Sequence, residues 1–392
     1  MDTVASTTND RSYYVWGGIL LALSIVARLF VYPVISGDYT TSISHWMNAL
    51  GSPGLSAFKT PFSDYAPLYL YLLKFLTLIP IYELFSIKTL SLVFDVILGL
   101  MAIALVKKQQ GKVWSKPKLF FLFSLIFVIP TVLLNSSAWA QADSIYTAFI
   151  LMSLYFIIED KPLWASILFS VSLSFKLQAV FFLPVLIGYL MMKKRNLLYL
   201  LWIPIIYVIT IIPAWLGGGS FFQLLTIYAR QSSEFQALSL SAPSIFSFID
   251  QNALSAGAST ALSYIGIILA LIVAAWIVWK MLRIQRQRPL TAEELVLISL
   301  LSVLALPFFL PHMHERYFYL ADVFAVVYAF MLSRRWYLPV LIVGASLFSY
   351  MTFLSSSIPF FGPLIVNEAF MGIAMAIALV SLILNVSRIK AV

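Results

Sequence analysis

The chain has 392 residues, of which 61% are hydrophobic and only 10% charged, and a water-soluble globule could not cover its surface with so few charges. The formal charge of +9 does not indicate nucleic acid, because the basic residues sit in short clusters between apolar runs, where they read as topology signals. With no cysteine, disulfides, thiolate nucleophiles and Cys-ligated metals are excluded, and three histidines are too few for a His-rich metal site.

The composition describes an all-α polytopic protein, a single integral membrane domain over residues 1–392. At about 20 apolar residues per crossing, twelve runs are expected to span: 14–35, 87–106, 118–134, 144–158, 162–175, 178–192, 197–215, 258–282, 293–310, 318–333, 336–354 and 366–386. The first is too long for a signal peptide and has no small-residue cleavage site, so it reads as a retained span. Residues 67–80, bounded by Pro67 and Pro80, suit a juxtamembrane or re-entrant helix better than a crossing.

If 67–80 does not cross, 18 of the 25 basic residues fall on one face. They are Arg11, Lys107, Lys108, Lys112, Lys116, Lys118, Lys161, Lys193, Lys194, Arg195, Lys280, Arg283, Arg286, Arg288, Arg334, Arg335, Arg388 and Lys390. Lysine and arginine near span ends prefer the cytoplasmic side, so both termini are expected there. The outer face then receives a first loop over 36–86 within an N-terminal half of 14–215, and a C-terminal half of 216–392 carrying a cluster at 311–317.

Most polar oddities lie on that outer face. Asp38 follows the first span, with His45-Trp46 seven residues on; it reads either as a general base at the interface or as the N-cap of a helix over residues 40–50. Asp64 and Tyr65 precede Pro67, where Asp64 has a ready capping role, and Tyr69 and Tyr71 read as an interfacial belt. Lys74, in the same short segment, must snorkel or find a negative partner. Trp139, Gln141 and Asp143 form a polar insertion between two spans; an interfacial loop explains it as well as a sugar site does, where indole stacks on a ring and Gln and Asp bond hydroxyls. Lys176 and Gln178 break an apolar stretch, which favours an anion partner for the lysine. The densest cluster is His312, His314, Glu315, Arg316 and Tyr317. Its spacing fits no standard metal-ligand pair, and an anion site built on Arg316 at the start of a span fits better. Gly217-Gly218-Gly219 reads as a flexible turn rather than a phosphate cradle.

Taken in order, Gly37-Asp38-Tyr39 with His45-Trp46, Asp64-Tyr65-Ala66-Pro67-Leu68-Tyr69, Trp139-Ala140-Gln141-Ala142-Asp143-Ser144, Lys176-Leu177-Gln178 and His314-Glu315-Arg316-Tyr317-Phe318-Tyr319 resemble the GT-C superfamily. The resemblance is to a bacterial branch similar to the GPI mannosyltransferases and the dolichyl-phosphate-glucose-dependent glucosyltransferases. Ala66 stands where that family usually has a proline, and Ala140 where it usually has glycine. The resemblance implies an inverting glycosyltransferase in the inner (cytoplasmic) membrane, acting on the extracytoplasmic face. It would move a monosaccharide from a polyprenyl-phosphate donor to a hydroxyl of a glycan, lipid or protein acceptor. Asp38 matches the family's catalytic base, and Asp64, Tyr65, Trp139, Gln141, Asp143, Lys176, Gln178, His312, His314, Glu315, Arg316 and Tyr317 are the expected substrate contacts. No cofactor is firmly indicated, and a divalent cation stays open. A transporter or lipid flippase is the alternative reading, which the missing repeat and the one-sided polar motifs disfavour.

Overall fold

The computed structural model describes residues 2–192, 196–234, 237–358 and 367–390. The expected cytoplasmic cluster Lys193-Lys194-Arg195 lies outside the described residues. In chain order the helices are α1 (Asp2–Val31), α2 (Ser44–Leu50), α3 (Pro67–Leu76), α4 (Glu83–Val106), α5 (Lys116–Val128), α6 (Pro130–Ser137), α7 (Asp143–Ile158), α8 (Pro162–Phe175), α9 (Leu183–Met191), α10 (Trp202–Leu216), α11 (Phe221–Leu225), α12 (Ile227–Glu234), α13 (Ala256–Gln285), α14 (Ala292–Phe309), α15 (Tyr319–Leu332), α16 (Tyr337–Leu354) and α17 (Glu368–Ser387). Two residue-pair strands, β1 (Ser239–Leu240) and β2 (Met313–His314), lie parallel.

Among the described residues, seven helices are long and apolar enough to cross a bilayer: α1, α4, α10 with the turn before it, α13, α14, α16 and α17. The pair α5 and α6, bent by 56°, makes an eighth if it is one span. These lengths show seven or eight spans and do not by themselves show the expected twelve. Helices do form at 144–158, 162–175, 178–192 and 318–333, but α7 has 16 residues and α8 and α15 have 14 each. At 1.5 Å per residue that is about 21–24 Å, short of a hydrocarbon core of about 30 Å. All four short runs end at the same place. Asp143 opens α7, Lys176 follows α8 and precedes the turn into α9, and the 311–317 cluster leads into α15. The helices are short because polar chain must enter the bundle at that level.

Proline at the first turn sets the start of α3, α5, α6, α8 and α9, where its missing N–H costs nothing. A capping box between Thr291 and Glu294 starts α14. Helix α14 is enclosed on nearly all sides by α13, α15 and α17, while α10 and α13 turn most of their surface outward, as a lipid-facing helix does. Segment 67–76 is a helix of 10 residues, too short to cross.

Lysines close several helix ends by donating to orphan carbonyls of a neighbour. Lys74 reaches the carbonyls of Leu50 and Ser52 at 2.7 and 2.6 Å, which answers the need for a negative partner. Lys112 reaches the Met331 carbonyl, and Lys280 those of Ser387 and Ile389. Tyr71 is not a belt residue: its hydroxyl donates to the Thr210 carbonyl and accepts from the Ala214 N–H, both at 2.9 Å. It thus replaces one i→i−4 bond of α10 beside Pro213. Gly217 and Gly219 pack against the segment between α2 and α3, where a Cβ would meet the carbonyls of Leu55 at 2.6 Å and Phe58 at 3.0 Å. The triplet is a close-approach contact, not a loose turn.

Candidate active site

A cavity of about 470 Å³ opens where the short helices end, within the range of ligand sites. Its wall includes Asp38, Asp64, Tyr65, Gln141, Lys176, Gln178, His312, His314, Glu315, Arg316 and Tyr317, together with Trp46 and Tyr69. Residues separated by almost 280 positions therefore share one chamber. His45 is exposed and outside that wall.

Asp38 sits at the entry of a π-helical turn over Tyr39–Ile43, and its side chain makes no capping bond. Its Oδ2 accepts three hydrogen bonds: from Trp139 Nε1 at 3.0 Å, Gln141 Nε2 at 2.6 Å and Arg316 Nη1 at 3.2 Å. Oδ1 has no hydrogen bond among the described residues, and the side chain is 25% exposed. The segment is stitched to the next loop by Ser36, whose hydroxyl donates to the Trp139 carbonyl at 2.8 Å. A carboxylate with one anchored oxygen and one open oxygen can take a proton from a hydroxyl in the cavity.

Arg316 bridges three carboxylates. Nη1 meets Asp38 Oδ2 and Glu315 Oε1, each at 3.2 Å, and Nε lies 3.9 Å from Asp143 Oδ2. Burial disfavours its charge, but Asp38, Glu315 and Asp143 hold its pKa well above the ordinary arginine value. Its Nε is turned toward buried Asp143 and has no hydrogen-bond partner among the described residues; Nη1, shared between Asp38 and Glu315, is the nitrogen an anion would compete for. Burial also works against Glu315, yet neighbouring His314 and Arg316 bring its carboxyl below the usual glutamate range. Burial pushes Asp64 up from the ordinary value, the dominant effect there. Asp64 lines the cavity, and the cap of α3 is Ala66 without any side-chain bond, so the capping role read from sequence is not used.

Two other expected contacts, Trp139 and Asp143, stand back from the cavity. Trp139 is fully buried, stacked on Phe353 at 4.8 Å and edge-on to Tyr350, so its faces are not open to a sugar ring; its indole N–H instead holds Asp38. Asp143 is 1% exposed and lies behind the wall, its Oδ1 taken by Lys176 Nζ at 2.5 Å and its Oδ2 by Asn135 at 2.7 Å. Lys176 lines the cavity with its charge already matched, and Gln178 lines it with a buried Oε1 that has no hydrogen-bond partner among the described residues. His312 has φ of 62° and bonds the backbone of 237–238 through both its Nδ1 and its N–H. The pairing of β1 with β2 extends that clasp and pins the 311–317 segment to the loop before α13. Among the described residues no group of three or more His, Asp or Glu could hold a metal ion.

Among the described residues, four buried Arg, Lys or Asp side chains escaped the sequence reading: Arg28, Lys88, Asp95 and Asp322, each at most 4% exposed. The available signal was a charge inside an apolar run. Ala140, in the usual glycine position, has φ of 63°, a conformation that glycine adopts freely.

A family model described as "Glycosyltransferase family 87" matches residues 62–307, more than half of the chain and including Asp64, the 139–143 insertion and Lys176. "GPI mannosyltransferase 1" of Candida albicans (strain SC5314 / ATCC MYA-2876) is 30% identical over 112 residues, which cover 28% of this chain and 27% of that protein. The chain thus matches about a quarter of the length of this curated relative. Its membrane helices, the polar chamber between them and the family match over 62–307 together identify the chain as a member of glycosyltransferase family 87, a multi-pass membrane glycosyltransferase of the GT-C superfamily.

Proposed function

We propose that the protein transfers a monosaccharide, with inversion, from a polyprenyl-phosphate donor to an acceptor hydroxyl, with Asp38 as general base. The carrying observation is the pairing, on residues that line the cavity, of a carboxylate with one oxygen free of hydrogen bonds among the described residues and a guanidinium 3.2 Å from its other oxygen. The acceptor oxygen attacks the anomeric carbon while its proton passes to Asp38. The bond from that carbon to the phosphate oxygen breaks, and its electron pair leaves on the lipid phosphate. A phosphate monoester is stable as an anion near neutral pH, so no general acid is required, unlike glycoside hydrolysis with its two carboxylates. A phosphate oxygen bound by Arg316 competes with Asp38 for the same Nη1, so donor binding also frees a lone pair of the base. Tyr65, Gln178, His314, Glu315 and Tyr317 line the same chamber and supply hydroxyl partners or hold Arg316. Trp139 and Gln141 position Asp38, and Asp143 neutralises Lys176.

The four short helices complete twelve crossings in this reading, with the chamber recessed below the extracytoplasmic surface of a cytoplasmic membrane and both termini on the opposite side. The mannosyltransferase named among the relatives makes polyprenyl-phosphate mannose the first donor to try. Release of polyprenyl phosphate and appearance of a new glycoside with purified protein supports the reading; donor left intact with every acceptor class opposes it. For orientation, Gly111→Cys in this cysteine-free chain should label only after the membrane is opened. Labelling by an impermeant reagent from outside would reverse the placement of the chamber.

A further inference from the structure

Lys88, Ser91 and Asp95 follow one another at i, i+3 and i+7 along α4, so they share one face, and each is at most 1% exposed. Lys88 Nζ donates to the carbonyls of Tyr32 and Val34, both at 2.7 Å, in the stretch that leads from α1 to Asp38. Ser91 Oγ donates to the Gln141 carbonyl at 2.7 Å, and Ser144 Oγ donates back to the Ser91 carbonyl at 3.1 Å. Asp95 Oδ2 accepts from Ser136 Oγ at 2.6 Å and from Arg28 Nη1 at 2.8 Å. The same Arg28 nitrogen reaches the hydroxyls of Ser136 and Ser137, and Nη2 holds the Phe127 carbonyl beside the bend between α5 and α6. One rung therefore grips the chain entering Asp38. The other two grip the turn whose Trp139 and Gln141 donate to it. Three ionisable groups inside spans are costly to insert, and packing alone does not call for them, since apolar residues of like volume fill such space as well.

We infer that the Lys88–Ser91–Asp95 face of α4, locked by Arg28, is a positioning element that sets the approach of Asp38 to Trp139 and Gln141. The inference rests on Asp38 as the base, but its structural half stands by itself. These residues touch neither cavity nor substrate; they act through the two backbone segments. The arrangement makes the geometry of the base depend on two loops distant in sequence being held by one rigid helix.

The test uses the full chain in nanodiscs, comparing the parent with Ser91→Ala, Lys88→Met and Asp95→Asn by hydrogen–deuterium exchange and by turnover of polyprenyl-phosphate mannose. Lys88→Met should speed exchange by several-fold in residues 34–43, and the other two in residues 135–143, with the remaining bundle unchanged. For each, kcat should fall about 10-fold while donor KM stays within about 2-fold. Lys88→Arg, which keeps the cationic donor, should recover part of the loss. Exchange that is unchanged in both segments, or faster everywhere, would overturn the inference, as would localised loosening with kcat intact. Ser91→Ala removes a single hydroxyl, so the test survives if Lys88→Met does not fold. A parent that turns over no lipid-phosphate sugar would count against the proposed function; the exchange map would then decide this inference alone.

Discussion

Asp38 and Asp143 both meet Arg316, at 3.2 and 3.9 Å, yet their surroundings separate them. Asp143 opens α7 in a closed shell, with Lys176 on one oxygen and Asn135 on the other. Asp38 lines the cavity, gathers its three donors on Oδ2 and leaves Oδ1 without a hydrogen bond among the described residues. A buried carboxylate paired on both oxygens stores charge balance; a half-open one can accept a proton. The comparison shows that local sequence, in which both aspartates sit beside aromatic and polar residues, does not distinguish these surroundings. Exposure and the placement of donors do.

The sharpest way to break the comparison is to remove proton acceptance from each in turn. Asp38→Asn keeps shape and hydrogen bonding, so turnover should drop by roughly 10² to 10⁴ with donor binding largely kept, as read by steady-state kinetics and donor titration. Should Asp38→Asn stay active while Asp143→Asn binds donor normally and is dead, the base would be Asp143. Asp143→Asn is expected to act on stability instead, because it leaves Lys176 buried without a counter-ion, at a cost of about 3–5 kcal/mol. A thermal melt of the double variant Asp143→Asn with Lys176→Met should recover much of that loss; no recovery would deny the pairing.

Arg316→Lys keeps the charge but loses the planar fork. Donor affinity should weaken by roughly 10-fold to 100-fold in a binding titration, with acceptor KM little changed. Equal donor affinity would make Arg316 a prop for Asp38 and nothing more.

Asp64 offers a gentler contrast. Burial raises its pKa above the ordinary 3.8, so the folded state holds the proton longer than the unfolded state does. Stability therefore falls as pH rises through that window, and the penalty is complete above the raised value. Asp64→Asn removes it, so the variant should melt higher than the parent at neutral pH, and the gap should close in acid. A gap that is constant with pH would point to packing. Smallest of all is Ala140→Gly: relief of the left-handed strain is set against the added freedom of the unfolded chain, so stability should move by no more than about 1 kcal/mol with activity kept. A marked loss of activity would mean that the methyl group at 140 shapes the turn holding Asp38.

The chain's own pattern was enough for the membrane class, for helices along each apolar run, and for a short helix opened by Pro67, since span length and proline chemistry are local properties. It was also enough to mark Asp38, Asp64, Gln141, Lys176 and Arg316, because polar residues stand out against an apolar background. Tertiary structure decided what each of them contacts. It closed Trp139 between Phe353 and Tyr350, set Tyr71 into the ladder of α10, and matched Lys176 to Asp143 before any ligand could claim it. It also paired β1 with β2 across more than 70 residues and joined Lys88, Ser91 and Asp95 to two separate loops. Such contacts depend on which helix faces meet, and a hydrophobic run that is apolar all round carries no record of which way its few polar side chains will point.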